Sequence, residues 1–86
     1  MSVETPLPKR VRIQRPGQPV RLLRTMGEAI DFVQEEIPDP HSERWQPVQE
    51  RLVEADQTRT PADLAEARSI LVSALRAEGW LYGDDG

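Results

Sequence analysis

The chain has 86 residues, a mass of 9.8 kDa, 37% hydrophobic residues and a formal net charge of −4. This length allows one small domain with a single core. Because cysteine is absent and histidine occurs once, disulfides, thiolate nucleophiles, cysteine-ligated metals and paired histidine ligands are excluded. No apolar run approaches the roughly 20 residues that span a bilayer, and no signal peptide is recognisable. We therefore expect a cytoplasmic protein without a membrane partner.

Charge is divided unequally along the chain. Residues 1–25 contain six basic residues and one acid, whereas residues 26–86 contain five basic residues and fourteen acids. A basic strip joined to an acidic body is therefore predicted. The proline-rich residues 1–8 are expected to form a disordered tail, residues 9–82 a single domain, and residues 83–86 a frayed acidic tail.

A β-hairpin is predicted first, with strands at about 10–15 and 19–24. Polar and apolar residues alternate in both segments, and Pro16-Gly17 between them is a turn signal because glycine accepts a positive φ. The side chains expected to face the helices are Val11, Ile13, Val20 and Leu22. Arg21 and Leu23 are expected on the opposite face. Two strands alone are barely stable, so this hairpin must pack on helices.

Three helices are predicted after the hairpin. The first begins at Thr25, which forms a capping box with Glu28, and it ends before Pro38. The second covers about 46–57. The third runs from the N-cap Thr60 to Glu78, with Gly79 as a left-handed cap, and its wide apolar arc places it centrally. The predicted fold class is α+β, a hairpin packed against three helices.

These elements resemble a small bacterial family of domains of unknown function. The resemblance covers about residues 10–81, and its signatures are an EA pair in the first helix and an AR…A pattern in the last. The matching residues are Pro19-Val20, Glu28-Ala29, Ile37-Pro38, Ala67-Arg68, Leu71-Val72, Ala74 and Gly79. The chain has Ile37 where the family pattern has tryptophan. The resemblance implies the β-β-α-α-α order and no catalytic residue, metal or cofactor.

A basic patch on the hairpin is the first candidate site. Its predicted members, for nucleic acid or another anion, are Arg10, Arg12, Arg21 and Arg24. Such a ribbon can approach a phosphate backbone. The outer face lacks aromatic residues for stacking on bases, and the net charge of the chain is negative, which argues against nucleic acid as the main partner.

Four further residues are candidates for packing or binding. Arg68 lies near the apolar arc of the third helix, so we expect it to bind a carboxylate or free carbonyls of another element, with the end of the first helix preferred. The alternative is that it binds an anion. Phe32 lies about 120° from the apolar stripe of the first helix and either flanks the core or is exposed to a partner. Trp80 and Tyr82 form either a packed cap or an interface anchor.

Catalytic, metal-binding and cofactor-binding residues are not assigned. His41-Ser42 lacks a third orienting acid, and its neighbours predict a solvated loop. The acids of the first two helices, among them Glu28, Asp31 and Glu35, lie opposite the apolar stripes and are expected to be solvated. The sequence thus favours a non-enzymatic protein-interaction or regulatory module, which binds another protein or itself as a homodimer. Weak nucleic-acid binding through the hairpin and a small enzyme with an unrecognised site are the alternatives.

Overall fold

The computed structural model describes residues 5–39 and 41–82. In chain order the elements are β1 Pro6–Ile13, β2 Arg21–Thr25, α1 Met26–Asp31 with a π-helical continuation Phe32–Glu36, α2 Gln46–Thr58 and α3 Pro61–Glu78. The strands form an antiparallel hairpin, so the predicted α+β order is confirmed. Residues 6–8, predicted to belong to a disordered tail, are part of β1, and Leu7 is buried. The rest of that tail, residues 1–4, and the acidic residues 83–86 lie outside the described residues.

The turn between the strands has the predicted Pro-Gly geometry. Gln18 N–H donates to the Arg15 carbonyl at 3.0 Å, and Gly17 has a φ of 74°. This left-handed conformation is the one that glycine adopts at no steric cost.

The register of the hairpin differs from the prediction. Leu23 pairs with Val11 and is fully buried, whereas Leu22 pairs with Arg12 and Val20 is 45% exposed. The prediction that Val20 and Leu22 face the core is therefore wrong. Because β2 and the residues before it are apolar at both alternating positions, the pattern alone did not decide which face is buried.

The helix ends follow the predicted caps. The hydroxyl of Thr25 accepts the Glu28 amide, and that of Thr60 accepts the Asp63 amide. The carboxylate of Glu28 accepts the amide of Arg24 at 2.8 Å, one residue before the position a capping box would use. Gly79 has a φ of 78°, and the amides that follow α3 return to its last turn in a Schellman motif.

Phe32 is fully buried, which decides between the two positions left open by the sequence. Phe32 lies off the apolar stripe of a regular α-helix. The winding of the chain changes from α-helical to π-helical at this residue. Hydrogen bonds from i to i+5 widen the helix and change the direction of the following side chains. Phe32, Val33 and Ile37 all belong to the core.

α3 packs against both β1 and α2, while α1 packs against β2 and α2. The buried side chains of α3 are Ala67, Leu71, Val72, Ala74 and Leu75. The predicted place of α3 between the hairpin and another helix is therefore confirmed for α2. This arrangement holds the inner side of the hairpin on the helices and leaves its other side toward solvent.

Candidate interaction surface

Two arginines close the turn end of the hairpin onto the π-helical segment. Arg15 donates to the Glu36 carboxylate at 2.9 Å and to the Glu36 carbonyl at 3.0 Å, and Arg21 also pairs with this carboxylate. The Arg15 guanidinium lies 5.6 Å from the ring centres of both Phe32 and Trp80, and that of Arg21 lies 5.8 Å from Phe32. We call these five residues the arginine–aromatic cluster. Its two arginines bind one acid and cover Phe32, the largest fully buried side chain of the described residues.

The four arginines of the predicted basic patch do not all lie on one face of the hairpin. Arg21 alternates with Leu22 and points to the core side of the hairpin, where Glu36 neutralises it. It therefore does not share a face with the other three predicted members. Sequence reasoning missed Arg15 as a site residue. Its place two positions beyond Ile13, on the same alternating face as Val11, is a signal that could have found it.

The opposite side of the hairpin is a mixed basic and apolar surface. A row across it is formed by Leu22, Arg12 and Tyr82, because Arg12 pairs with Leu22 on one side and its carbonyl accepts the Tyr82 amide on the other. The Arg12 guanidinium lies 5.6 Å from the centre of the Tyr82 ring. We define the outer face as these residues together with Arg10, Val20 and Arg24, the last three of which are exposed.

Two arginines of the outer face, Arg10 and Arg24, have guanidinium groups with no acidic partner in the described part of the chain. Within residues 5–39 and 41–82, no carboxylate forms an ion pair with Arg10 or Arg24. Val20 and Tyr82 are also the most exposed large apolar side chains of this part of the chain, at 45% and 41%. Arginine beside exposed aromatic and aliphatic groups is typical of protein-binding surfaces.

The two edges of the hairpin differ in their hydrogen bonding. The edge of β1 is covered near its end by the C-terminal segment, because Gln14 N–H donates to Trp80 and Tyr82 N–H donates to Arg12. Further back, where the pairing with β2 is irregular, Arg68 Nε donates to the Lys9 carbonyl at 2.7 Å. Arg68 thus binds a backbone carbonyl as predicted, but the acceptor lies on β1 and not at the end of the first helix.

The edge of β2 has its backbone groups directed outward. Since the Arg12 carbonyl points away from β2, alternation directs the amide and carbonyl of its partner Leu22 away from β1. The Arg24 amide points the same way and donates a hydrogen bond to the Glu28 carboxylate. The stretch before it, around Leu22, is the free edge of β2.

A cleft of about 430 Å³ runs along this free edge. The hairpin turn and Leu22 form one wall, while Glu28, Phe32 and Glu36 come from the helical side. The charged groups in the cleft already have partners, since Glu28 accepts the Arg24 amide and Glu36 accepts both arginines of the cluster. The cleft is therefore suited to uncharged side chains.

The other candidate aromatic residues are packed. Trp80 is half-buried and stacks on Trp45, with ring centres 6.1 Å apart and planes inclined by 22°. This is the packed cap that the sequence offered as one alternative. Phe32 is buried beneath the cluster arginines, so it is not an interface residue of the described chain. Tyr82 alone keeps the exposure that an interface anchor needs.

The polar residues considered for catalysis or metal binding lie elsewhere. His41 is exposed, and Ser42 forms the turn that leads into α2, where its carbonyl accepts the amides of Trp45 and Gln46. Asp31 and Glu35 are exposed on their helix. In the part of the chain that the structure describes, no three histidine or acidic side chains gather into a group able to hold a metal ion. Nor is any of its helices long and apolar enough to cross a membrane.

Comparison with known proteins gave no matching family model, no matching curated protein and no matching solved structure. The resemblance to the domain family of unknown function therefore stays a prediction.

Proposed function

We propose that this protein is a non-enzymatic protein-interaction module that binds its partner through the outer face of the hairpin and the free edge of β2. The observation that carries the proposal is the coincidence of three features at one place. Leu22 directs its backbone groups outward, Arg24 has no acid partner among the described residues, and Val20 is exposed beside them. Unused hydrogen-bonding groups, charge and apolar surface are the elements from which specific interfaces are built.

The helical surfaces support the same choice by contrast. Arg51 of α2 lies 3.6 Å from Glu66 of α3. Arg44, in the turn before α2, pairs with Glu78 of α3. These charges are balanced within the molecule, so a partner gains less by contacting them. Location in the cytoplasm, a regulatory role and membership of the domain family stay predictions from the sequence.

The experiment compares proteins retained from a cell lysate by the immobilised wild-type chain and by two double variants. Val20→Glu with Arg24→Glu alters the proposed surface. Val53→Glu with Arg51→Glu makes the same chemical change on the surface of α2, where Val53 is half-buried and Arg51 exposed. Retained proteins are quantified by mass spectrometry after nuclease treatment.

We expect at least one protein that is retained by the wild type and by the α2 variant and is lost with the hairpin variant. Identical retention by all three chains contradicts the proposal. Retention that disappears with nuclease treatment supports nucleic-acid binding instead, the alternative function considered from the sequence. A protein lost only with the α2 variant would place the interface on the helices.

A further inference from the structure

We propose that the partner contributes an extended segment, in which acidic and apolar residues alternate, and that this segment pairs with the free edge of β2 as an added strand. The inference rests on the proposed function and deepens it by naming the chemistry of the partner. Addition of a strand to an exposed sheet edge is a general way to bind peptides, in which main-chain hydrogen bonds provide affinity and alternate side chains provide specificity.

The first step is that β2 is the available edge. The other strand is closed over its last residues by the hydrogen bonds that Gln14 and Arg12 form with the C-terminal segment. Leu22, in contrast, offers an amide and a carbonyl to the solvent side of β2. The Glu28 carboxylate accepts a hydrogen bond from the Arg24 amide, so the free stretch ends before Arg24. An added strand can therefore form its hydrogen bonds at Leu22 and toward the turn.

The second step is that the two faces of the added strand meet different surroundings. On the cleft side, Glu36 pairs with both Arg15 and Arg21. The Glu28 carboxylate, which also lines the cleft, accepts the Arg24 amide. On the outer face, the neighbouring residues are Leu22 of β2 and Val20 just before that strand. Arg24 follows on the same face at the end of the free stretch and forms no ion pair among the described residues. Because successive side chains of a strand point to opposite faces, the fitting sequence alternates apolar residues toward the cleft with acids toward Arg24.

The third step distinguishes this occupant from a second copy of the chain. Two copies joined through the edge of β2 would bring Arg24 of one molecule, which has no ion pair among the described residues, beside the basic hairpin of the other. Residues 5–25, which include the whole hairpin, contain six basic residues and no acid. Like charges on neighbouring strands are destabilising, so charge complementarity favours an acidic segment over self-pairing.

The test uses short synthetic peptides as probes. One alternates glutamate and valine, a second has lysine in place of glutamate, and a third has proline in place of valine, which removes the extended hydrogen-bonding backbone. Binding is measured by fluorescence anisotropy at low and physiological salt. Hydrogen exchange of individual amides is followed by NMR with and without peptide.

We expect the glutamate–valine peptide to bind, to slow exchange at the Leu22 amide, and to leave exchange at Leu23 unchanged. Arg24→Glu should weaken its affinity by about tenfold, and added salt should weaken it further. Leu22→Pro, which removes the edge amide, should abolish binding. The matched variant Leu22→Ala, which keeps that amide, should bind within about threefold of the wild type.

Three results would overturn the inference. Binding without protection of Leu22 means that side chains dock but no strand is added. Equal binding of the lysine peptide removes the charge argument. Protection of Leu22 that increases with protein concentration in the absence of peptide assigns the edge to a second copy. Each of these leaves the lysate comparison of hairpin and α2 variants unaffected, so the inference can fail while the proposed function stands.

Discussion

The arginines of the hairpin fall into two groups whose surroundings differ. Arg15 and Arg21 share the Glu36 carboxylate and lie over aromatic rings, so their charge is used to hold the turn end of the hairpin on the helical body. Arg10 and Arg24 are exposed on the outer face and form no ion pair among the described residues. One basic segment thus contains arginines in two different surroundings, and charge counted along the sequence does not separate them.

Substitutions at Leu23 and Leu22 test the difference between the two faces of the hairpin, and they have the largest expected effect on stability. Leu23→Ala removes a fully buried side chain and should lower the free energy of unfolding by about 2–4 kcal/mol. Leu22→Ala truncates a half-buried side chain on the outer face and should cost less than about 1 kcal/mol. Urea denaturation measures both. Equal losses, or a larger loss for Leu22, would mean that the register described here is wrong.

Arg15 and Arg10 test the two groups of arginines directly. Arg15→Ala removes two hydrogen bonds to Glu36 and two contacts with aromatic rings, and should lower the free energy of unfolding by about 2 kcal/mol. Arg15→Lys should recover about half, because the planar fork is lost. Arg10→Ala is the control and should stay within about 0.5 kcal/mol of the wild type. Similar stability of the Arg15→Ala and Arg10→Ala variants in denaturant melts would remove the distinction.

Arg68 tests whether the edge of β1 is held closed. Arg68→Ala should cost about 1–2 kcal/mol, because the Lys9 carbonyl loses a charged donor. Arg76→Ala, at an exposed position in the last turn of α3, is the matched control and should have a smaller effect. Calorimetry with added phosphate separates this role from anion binding. The anion site would be favoured if Arg68→Ala were as stable as the wild type without phosphate, and if phosphate stabilised the wild type but not the variant.

Asp63 extends the comparison to a charge satisfied by its own neighbours. The hydroxyl of Thr58, which donates to its carboxylate at 2.7 Å, and then that of Thr60 lower the pKa of Asp63 below its ordinary value. Because the folded pKa is the lower one, this carboxylate stabilises the fold above the unfolded pKa, and the contribution is lost as pH falls through the folded pKa. Urea unfolding over an acidic pH series should therefore give a flatter profile for Asp63→Asn.

Thr58→Val checks the cause of that dependence. It removes the largest contribution to the lowered pKa of Asp63 while leaving the carboxylate in place. The acid part of its stability profile should be flatter than that of the wild type and steeper than that of Asp63→Asn. A profile with the full wild-type slope in both variants would show that Asp63 does not contribute to it.

Local patterns predicted most of the fold. The Pro16-Gly17 turn, the N-cap Thr60 and the C-cap Gly79 depend on residues a few positions apart, and each is confirmed. The start of β1 was missed because Pro6 and Pro8 are poor strand formers that an edge tolerates. The face of β2 was wrong because Leu22 and Leu23 are adjacent and either could have been buried.

The candidate surface was harder to predict because it depends on contacts between distant residues. Arg15 and Glu36 are separated by 21 positions, and the π-helical winding that brings Glu36 and Phe32 toward the hairpin has no simple signature in the sequence. The prediction for Arg68 had the right kind of acceptor and the wrong element, since the irregular part of β1 that presents the Lys9 carbonyl is a tertiary feature.

Amide hydrogen exchange by NMR shows whether the outer edge of β2 is open in the free protein, as we propose. The Leu23 amide faces the ladder with β1, whereas the Leu22 amide points to the free edge. Leu22 should therefore exchange at least about tenfold faster than Leu23 at every protein concentration. Equal protection of the two amides would mean that the edge of β2 is already covered, and would contradict an open edge at Leu22.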